Sequence, residues 1–339
     1  MSLDTTSSNT DLKKTLLGYL KQSTKPVILA ELLAFIEERV SERTLRRWLA
    51  SWVAAGLVAK TGKTRLSKYY YIHPKTEAPV ASFLLSVPSS RRQAVLSQIR
   101  DVWTHSSTAI EGNTFTLGDT FELLEYGLTV SGKPIVEHQE VMGHAKAIDL
   151  IYAQVSQDQV VSKQFICDLH KAVQTERVVD IYKPMGDWKL EPNGCNAMDK
   201  NQKHVYIEYA HPMHVDKLMS EWMDYLNGLD YSTINVNSAA EIYAKLHLGF
   251  VHIHPFWDGN GRLARLLANI PLLKAGLPPL VINQQSRQKY IRCLARYQIE
   301  AGRISTKTGV WLGGVSFNDF TELCSQNYKQ TQSIILDAQ

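Results

Sequence analysis

His254-Pro255-Phe256-Trp257-Asp258-Gly259-Asn260-Gly261-Arg262-Leu263-Ala264-Arg265 places a base, a carboxylate, two glycines and two arginines within a dozen residues. Proline disfavours helical geometry in the residue before it, so the helix through Ile242, Leu246 and Phe250 should end at about His254 and project that side chain from a loop. Gly259 and Gly261 permit backbone conformations and close approaches that side chains forbid, and the apolar run from Leu263 restarts a helix. The N–H groups at the start of that helix form a cradle for an anion, with Arg262 and Arg265, three apart, on one face at its rim. Helix, glycine turn and second helix therefore predict a nucleotide-phosphate site. His254 suits a general base there, since imidazole titrates near about pH 6.5 and the positive end of the following helix favours its neutral form.

Working upstream, Ser238-Ala239-Ala240-Glu241 fits a capping box opening the helix that leads to His254. Asp187 to Tyr209 reads as extended, with Pro192-Asn193-Gly194 as a turn and Val205-Tyr206-Ile207 as a strand. His247, His252 and His254 invite a metal-site reading. Their separations of five and two do not share a helical face and no thiolate is near, so His247 and His252 are expected to be packed histidines.

The stretch resembles the motif of the Fic family of nucleotide transferases, His-Pro-Phe-x-Asp/Glu-Gly-Asn-Gly-Arg-x-x-Arg, at every fixed position. Gly127 to His144, the segment around Leu169-His170, and Met185 to Asn227 also look like Fic segments, so the resemblance covers about residues 100 to 330. It implies a mainly α fold: a Fic-type helical core with a small β-hairpin flap. It further implies that His254 deprotonates a Ser, Thr or Tyr hydroxyl of a target protein, which attacks the α-phosphorus of ATP. Asp258 would hold Mg²⁺, Gly259, Asn260 and Gly261 would bind phosphate oxygens, and Arg262 and Arg265 would neutralise the β- and γ-phosphates. Arg287, Tyr290 and Gln298 fall in a region that often lines the adenine pocket, where many relatives have Asn in place of Gln298. The Asp187–Tyr209 segment resembles the flap that pairs with a strand of the target.

Ser107-Thr108-Ala109-Ile110-Glu111-Gly112-Asn113 resembles the inhibitory Ser/Thr-x-x-x-Glu-Gly/Asn motif that precedes many Fic cores. Ser107 and Glu111, four apart, would share a helical face. The resemblance implies a Glu111–Arg265 ion pair in the ground that the γ-phosphate needs. Relatives carrying this glutamate can also remove AMP, so transfer and de-AMPylation both stay open.

The N-terminus has its own character. Residues 1–75 hold thirteen Lys or Arg against six Asp or Glu, an excess of seven; the whole chain carries +4, so residues 76–339 are net −3. Leu12–Leu20 and Val27–Glu38 carry helical stripes. Ser41 can cap a third helix with Leu45, Trp48, Leu49, Trp52 and Val53 on its apolar face, and Leu57–Lys60 with Lys68–Ile72 read as a two-stranded hairpin. This order resembles a winged helix-turn-helix. Arg43, Arg46 and Arg47, with Arg39, would then meet the major groove of double-stranded DNA, while Lys60, Lys63, Arg65 and Lys68 on the wing would touch phosphates. Protein contact or dimerisation is the competing use of the same fold, and winged helices often act as homodimers on two half-sites.

These readings divide the chain into a winged helix-turn-helix at 1–75, a linker and packing helix at 76–105, and a Fic domain at 106–330 whose inhibitory helix covers about 106–118. The four cysteines, Cys167, Cys195, Cys293 and Cys324, are widely spaced, which argues for reduced thiols rather than a disulfide framework. With no apolar signal region and no long apolar run, a cytoplasmic protein is expected. A reading from another class is a DNA-binding regulator that uses its Fic domain as a nucleotide sensor.

Overall fold

In the computed structural model the described residues are 9–23, 25–37, 39–54, 58–62, 67–71, 82–174 and 183–339. They belong to two compact units, Met1–Ala78 and Pro79–Gln339.

The smaller unit contains α1 (Asn9–Gln22), α2 (Leu29–Phe35) and α3 (Glu42–Ala54) with strands β1 (Val27–Ile28), β2 (Val58–Thr61) and β3 (Lys68–Tyr71). The sheet is antiparallel in the order β1-β3-β2, so it has three strands where a two-stranded hairpin was expected. The extra strand comes from the start of the second apolar stripe: β-branched Val27 and Ile28 pair with Tyr69 and Lys68, and the helix begins only at Leu29. The Ser41 hydroxyl accepts the Thr44 N–H at 3.2 Å, as a helix cap does. Leu45, Trp48, Leu49 and Trp52 are buried against Leu16, Leu20 and Leu32. Val53 is exposed instead, because it lies roughly 80° round the helix from Leu45. Lys63 and Arg65 lie outside the described residues.

The larger unit comprises α4 (Ser89–Glu111), α5 (Leu117–Tyr126), α6 (Ile135–Ser156), α7 (Lys163–Val173), the strands β4 (Gly194–Met198) and β5 (His204–Glu208), then α8 (Pro212–Asn227), α9 (Val236–Ile253), α10 (Asn260–Leu267), α11 (Ile270–Lys274), α12 (Arg287–Ala301) and α13 (Asn318–Ala338). Helix α9 is the spine: Ala239, Tyr243, Leu246, His247, Phe250 and Ile253 are buried all round it, the pattern of a helix enclosed by others. It opens at Asn235, whose side chain accepts the Asn237 N–H, while Ser238, expected as the cap, sits a turn inside and accepts the Asn235 N–H.

Two expected boundaries move. Residues 89–111 form one helix, with Val95, Ile99, Trp103 and Ile110 in the same core as α9, so the expected linker and inhibitory helix are largely a single element of this unit. It stops at Gly112 in left-handed geometry, well before 118. At the other end α13 continues past 330, and Ile335 is still buried. In the segment expected to form the flap, the β4–β5 hairpin pairs Gly194 with Glu208 and Met198 with His204. Its turn is at Asp199–Lys203 rather than Pro192–Gly194, because the Asp199 carboxylate accepts the N–H groups of Asn201 and Lys203, both at 2.8 Å.

Candidate active site

The turn between α9 and α10 is held from three sides by its carbonyls. Lys189 donates its backbone N–H to Pro255 O at 2.8 Å and its ammonium to Ile253 O at 3.4 Å. Asn193 Nδ2 reaches the carbonyls of Phe256 and Trp257, both at 3.3 Å, and His170 Nε2–H donates to Asp258 O at 3.1 Å. The His170 ring also stacks on Phe256, with centroids 3.9 Å apart. Burial, more than any neighbouring charge, lowers the His170 pKa to about 4, so it acts as a neutral strut whose Nδ1 accepts the Gly186 N–H.

His254 is the C-cap of α9, in left-handed backbone geometry with φ 53°. Its Nδ1–H donates to Val251 O at 3.2 Å, which leaves the Nε2 lone pair to accept a proton. The ring lies flat on Tyr209, centroids 3.7 Å apart. Its pKa is lowered to about 3, first by burial and then by the charge of Lys189. Enclosure and Lys189 thus favour the neutral imidazole, where the sequence pointed to the helix end.

Gly259, at φ 79°, is the N-cap of α10 and no side chain caps that end. The first N–H groups of a helix lack intrahelical partners, so this turn offers donors to an anion. Side chains at the same place are engaged differently from the expectation. Asn260 is buried, its amide exchanging hydrogen bonds with the Phe256 N–H and carbonyl at 3.0 and 2.9 Å, so it shapes the loop and leaves only its backbone for a phosphate. Arg262 is buried rather than at a rim: it donates to Val173 O at 2.9 Å, to Gln174, and to Asp258 Oδ2 at 3.3 Å.

Arg265, 2% exposed, is gripped by α4 and α12. It donates to the Ser107 hydroxyl, the Ser107 carbonyl and the Tyr290 hydroxyl, each at 3.0 Å, and to Glu111 Oε1 at 2.5 Å. Burial opposes its charge, but Tyr290 and Glu111 outweigh it and push its pKa up. Gly261 is what lets Glu111 in: a Cβ there would lie 2.6 Å from Glu111 Oε1. The carboxylate therefore lies directly against the first turn of α10, beside the cradle.

Three residues expected near adenine have other partners. Tyr290 holds Arg265 and, through its hydroxyl, His247 Nε2 at 3.2 Å. Gln298 is buried and donates to Val251 O at 3.4 Å, the carbonyl that also orients His254. Arg287 donates to Ile110 O at 2.7 Å, near the end of α4. Buried His252 bonds Gly302 O at 2.8 Å, and with His247 it is a packing histidine. Lys189, Asn193 and Tyr209 were not singled out for the site by sequence reasoning; they sit in a segment without periodicity, where only the fold assembles them.

In the smaller unit Arg43, Arg46 and Arg47 stand exposed on α3 and Lys60 and Lys68 on β2 and β3. Arg46 is paired with Glu42 at 2.6 Å and Arg39 with Glu37 at 2.5 Å, so part of the basic excess is locally neutralised.

Comparison with known proteins agrees with this architecture. Residues 160–272 match the Fic/DOC family. Over 193 residues, 56% of the chain, it is 38% identical to the protein adenylyltransferase Fic of Drosophila erecta and 37% identical to that of Drosophila melanogaster. Those alignments cover 35% and 36% of the relatives, so the chain spans about a third of the curated relatives it matches. Among solved structures, a Fic domain containing signaling protein from Bacteroides thetaiotaomicron superposes with a TM-score of 0.63 at 24% identity, covering 76% of this chain and 94% of that one. Fic-1 of C. elegans gives 0.58 at 20% identity, covering 97% and 83%. Residues 160–272 are thus similar to a Fic/DOC domain, and the fold is mainly helical with small antiparallel sheets.

Proposed function

We propose that this chain is a protein adenylyltransferase that transfers AMP from ATP to a Ser, Thr or Tyr hydroxyl of a target protein and of itself, and that Glu111 holds it in check. The observation that carries the reading is the juxtaposition of three groups: an imidazole base with a free Nε2, the uncapped N-terminus of α10, and a glutamate on Arg265 against that same turn. Nε2 of His254 takes the hydroxyl proton, the oxygen bonds to the α-phosphorus, and the bond from that phosphorus to the β-phosphate oxygen breaks, releasing diphosphate. The N–H groups of α10 hold phosphate oxygens and Arg265 meets the γ-phosphate once Glu111 withdraws. The relatives named protein adenylyltransferase support the reaction class.

Asp258 offers one exposed carboxylate, ion-paired with Arg262 at 3.3 Å, and among the described residues no group of three or more His, Cys, Asp or Glu is gathered. That donor set fits Mg²⁺, which takes one or two carboxylates with substrate phosphate oxygens and water. When bound it would neutralise phosphate charge. De-AMPylation through Glu111 is a further activity of the same site. Incubation with α-labelled and γ-labelled ATP tests the proposal: stable protein label from the α position alone supports AMP transfer. No label on self or lysate, even in Glu111→Gly, would leave the Fic domain as a nucleotide sensor of a DNA-binding regulator.

For the smaller unit we propose a winged helix that binds double-stranded DNA as a homodimer, supported by the exposed arginines of α3 and lysines of β2 and β3. Among the described residues no helix is long and apolar enough to cross a membrane, and a cytoplasmic setting is part of this proposal.

A further inference from the structure

Four carbonyls flanking or following His254 are held by two residues of the segment that leads into the flap. Lys189 takes those of Ile253 and Pro255, and Asn193 takes those of Phe256 and Trp257. The two are themselves joined, Lys189 Nζ donating to Asn193 Oδ1 at 2.6 Å. From the other end of the flap, Tyr209 donates its N–H to Asn193 O at 3.1 Å and lays its ring on His254. Lys189 Nζ stands 5.8 Å from the centroid of that same ring.

Lys189 is 2% exposed, and the hydrogen-bond acceptors its ammonium meets are neutral. Burying an ammonium without a carboxylate partner is costly, and burial brings its pKa down to about 7. A lysine whose task was only to fill the core could be replaced by an apolar side chain of similar length. Here the hydrogen bonds of its ammonium and its backbone N–H go to the flap root and to the histidine loop.

We propose that Lys189, acting with Asn193, is a positioning residue for His254: it locks the flap root to the loop and so sets the reach from Nε2 to a hydroxyl presented on the flap. This rests on the AMP-transfer reading above. In the Glu111→Gly chain, Lys189→Met and Asn193→Ala should each lower kcat for α-labelled automodification by roughly 10–100-fold, the scale of a misplacement near 1 Å, while KM for ATP stays within about two-fold because the α10 cradle is untouched. Unchanged kcat in both folded variants overturns the proposal, as does a loss carried by KM. If Lys189→Met does not fold, Asn193→Ala decides. If the Glu111→Gly chain itself transfers no AMP, the functional reading fails separately. The His254 ring signals in a ¹H–¹⁵N spectrum then decide the positioning: a shift in the variants supports it and unmoved signals overturn it.

Discussion

In residues 1–78 the buried side chains are apolar, Leu16, Leu20, Leu32, Leu45 and Trp48 among them; Ser67 is the one buried polar residue among those described, and the arginines of α3 face outward. In residues 79–339 Lys189, Arg262, Arg265 and five histidines, His138, His144, His170, His247 and His252, are all buried. Taking an ion out of water costs several kcal/mol even after relaxation, so charge is not put inside merely to hold a fold together. The contrast separates two ways of working. Among the described residues the smaller unit carries its charges on its surface, whereas the larger one gathers Lys189, His170, Arg262 and Arg265 round the turn between α9 and α10.

The sharpest break of that comparison is His254→Ala. Placed in the Glu111→Gly chain, it should cost about 10²–10⁴-fold in AMP transfer, the usual worth of a general base. ATP binding by calorimetry should persist, since the cradle is backbone and arginine; undiminished transfer would remove the base from His254. A smaller effect is expected at the outer surface. Arg43→Ala, Arg46→Ala and Arg47→Ala should chiefly erase preference between duplex sequences, while Lys60→Ala should weaken all duplexes and flatten the log–log salt slope by about 0.9. Fluorescence anisotropy against a random duplex pool at low salt checks this. No binding at about 10⁻⁴ M, where non-specific association should already appear, would reassign the unit to dimerisation or docking.

How much of this was legible beforehand differs between the units in the same way. Helix α3 and its cap could be read from Ser41 and the Leu45–Trp52 spacing, because a surface helix writes its burial into its period. His254, Gly259 and Gly261 were legible because the turn leaves few alternatives. The engagement of Arg262 and Asn260 was not: a motif names residue types, and whether an arginine faces a ligand or Val173 O depends on α7, which is remote in sequence. Lys189 was invisible for the same reason, since Trp188-Lys189-Leu190 has no period and its partners Ile253 and Pro255 lie more than sixty residues away.

The smallest effect is one of acid stability. Burial depresses His170 and His252 to about 4, from an ordinary 6.5. Such groups add no penalty above pH 6.5, where both states are neutral. Below it the unfolded chain takes up protons that the folded one refuses, so stability falls between about pH 6.5 and 4, by up to about 1.4 kcal/mol per pH unit for each histidine. Every histidine but His73 belongs to the larger unit, so acid should strike that unit. Denaturant melts of the full chain across this range should show a falling midpoint; a flat one would contradict the buried, neutral histidines.

The most direct test of the whole account is the initial rate of α-labelled automodification in the native chain, in Glu111→Gln and in Glu111→Gly. If the carboxylate on Arg265 occupies ground the γ-phosphate needs, Glu111→Gly should be faster by about 5–150-fold, the range of a coupling of ~1–3 kcal/mol, with Glu111→Gln in between because it removes charge but not bulk. A rate in folded Glu111→Gly equal to or below that of the native chain would contradict it.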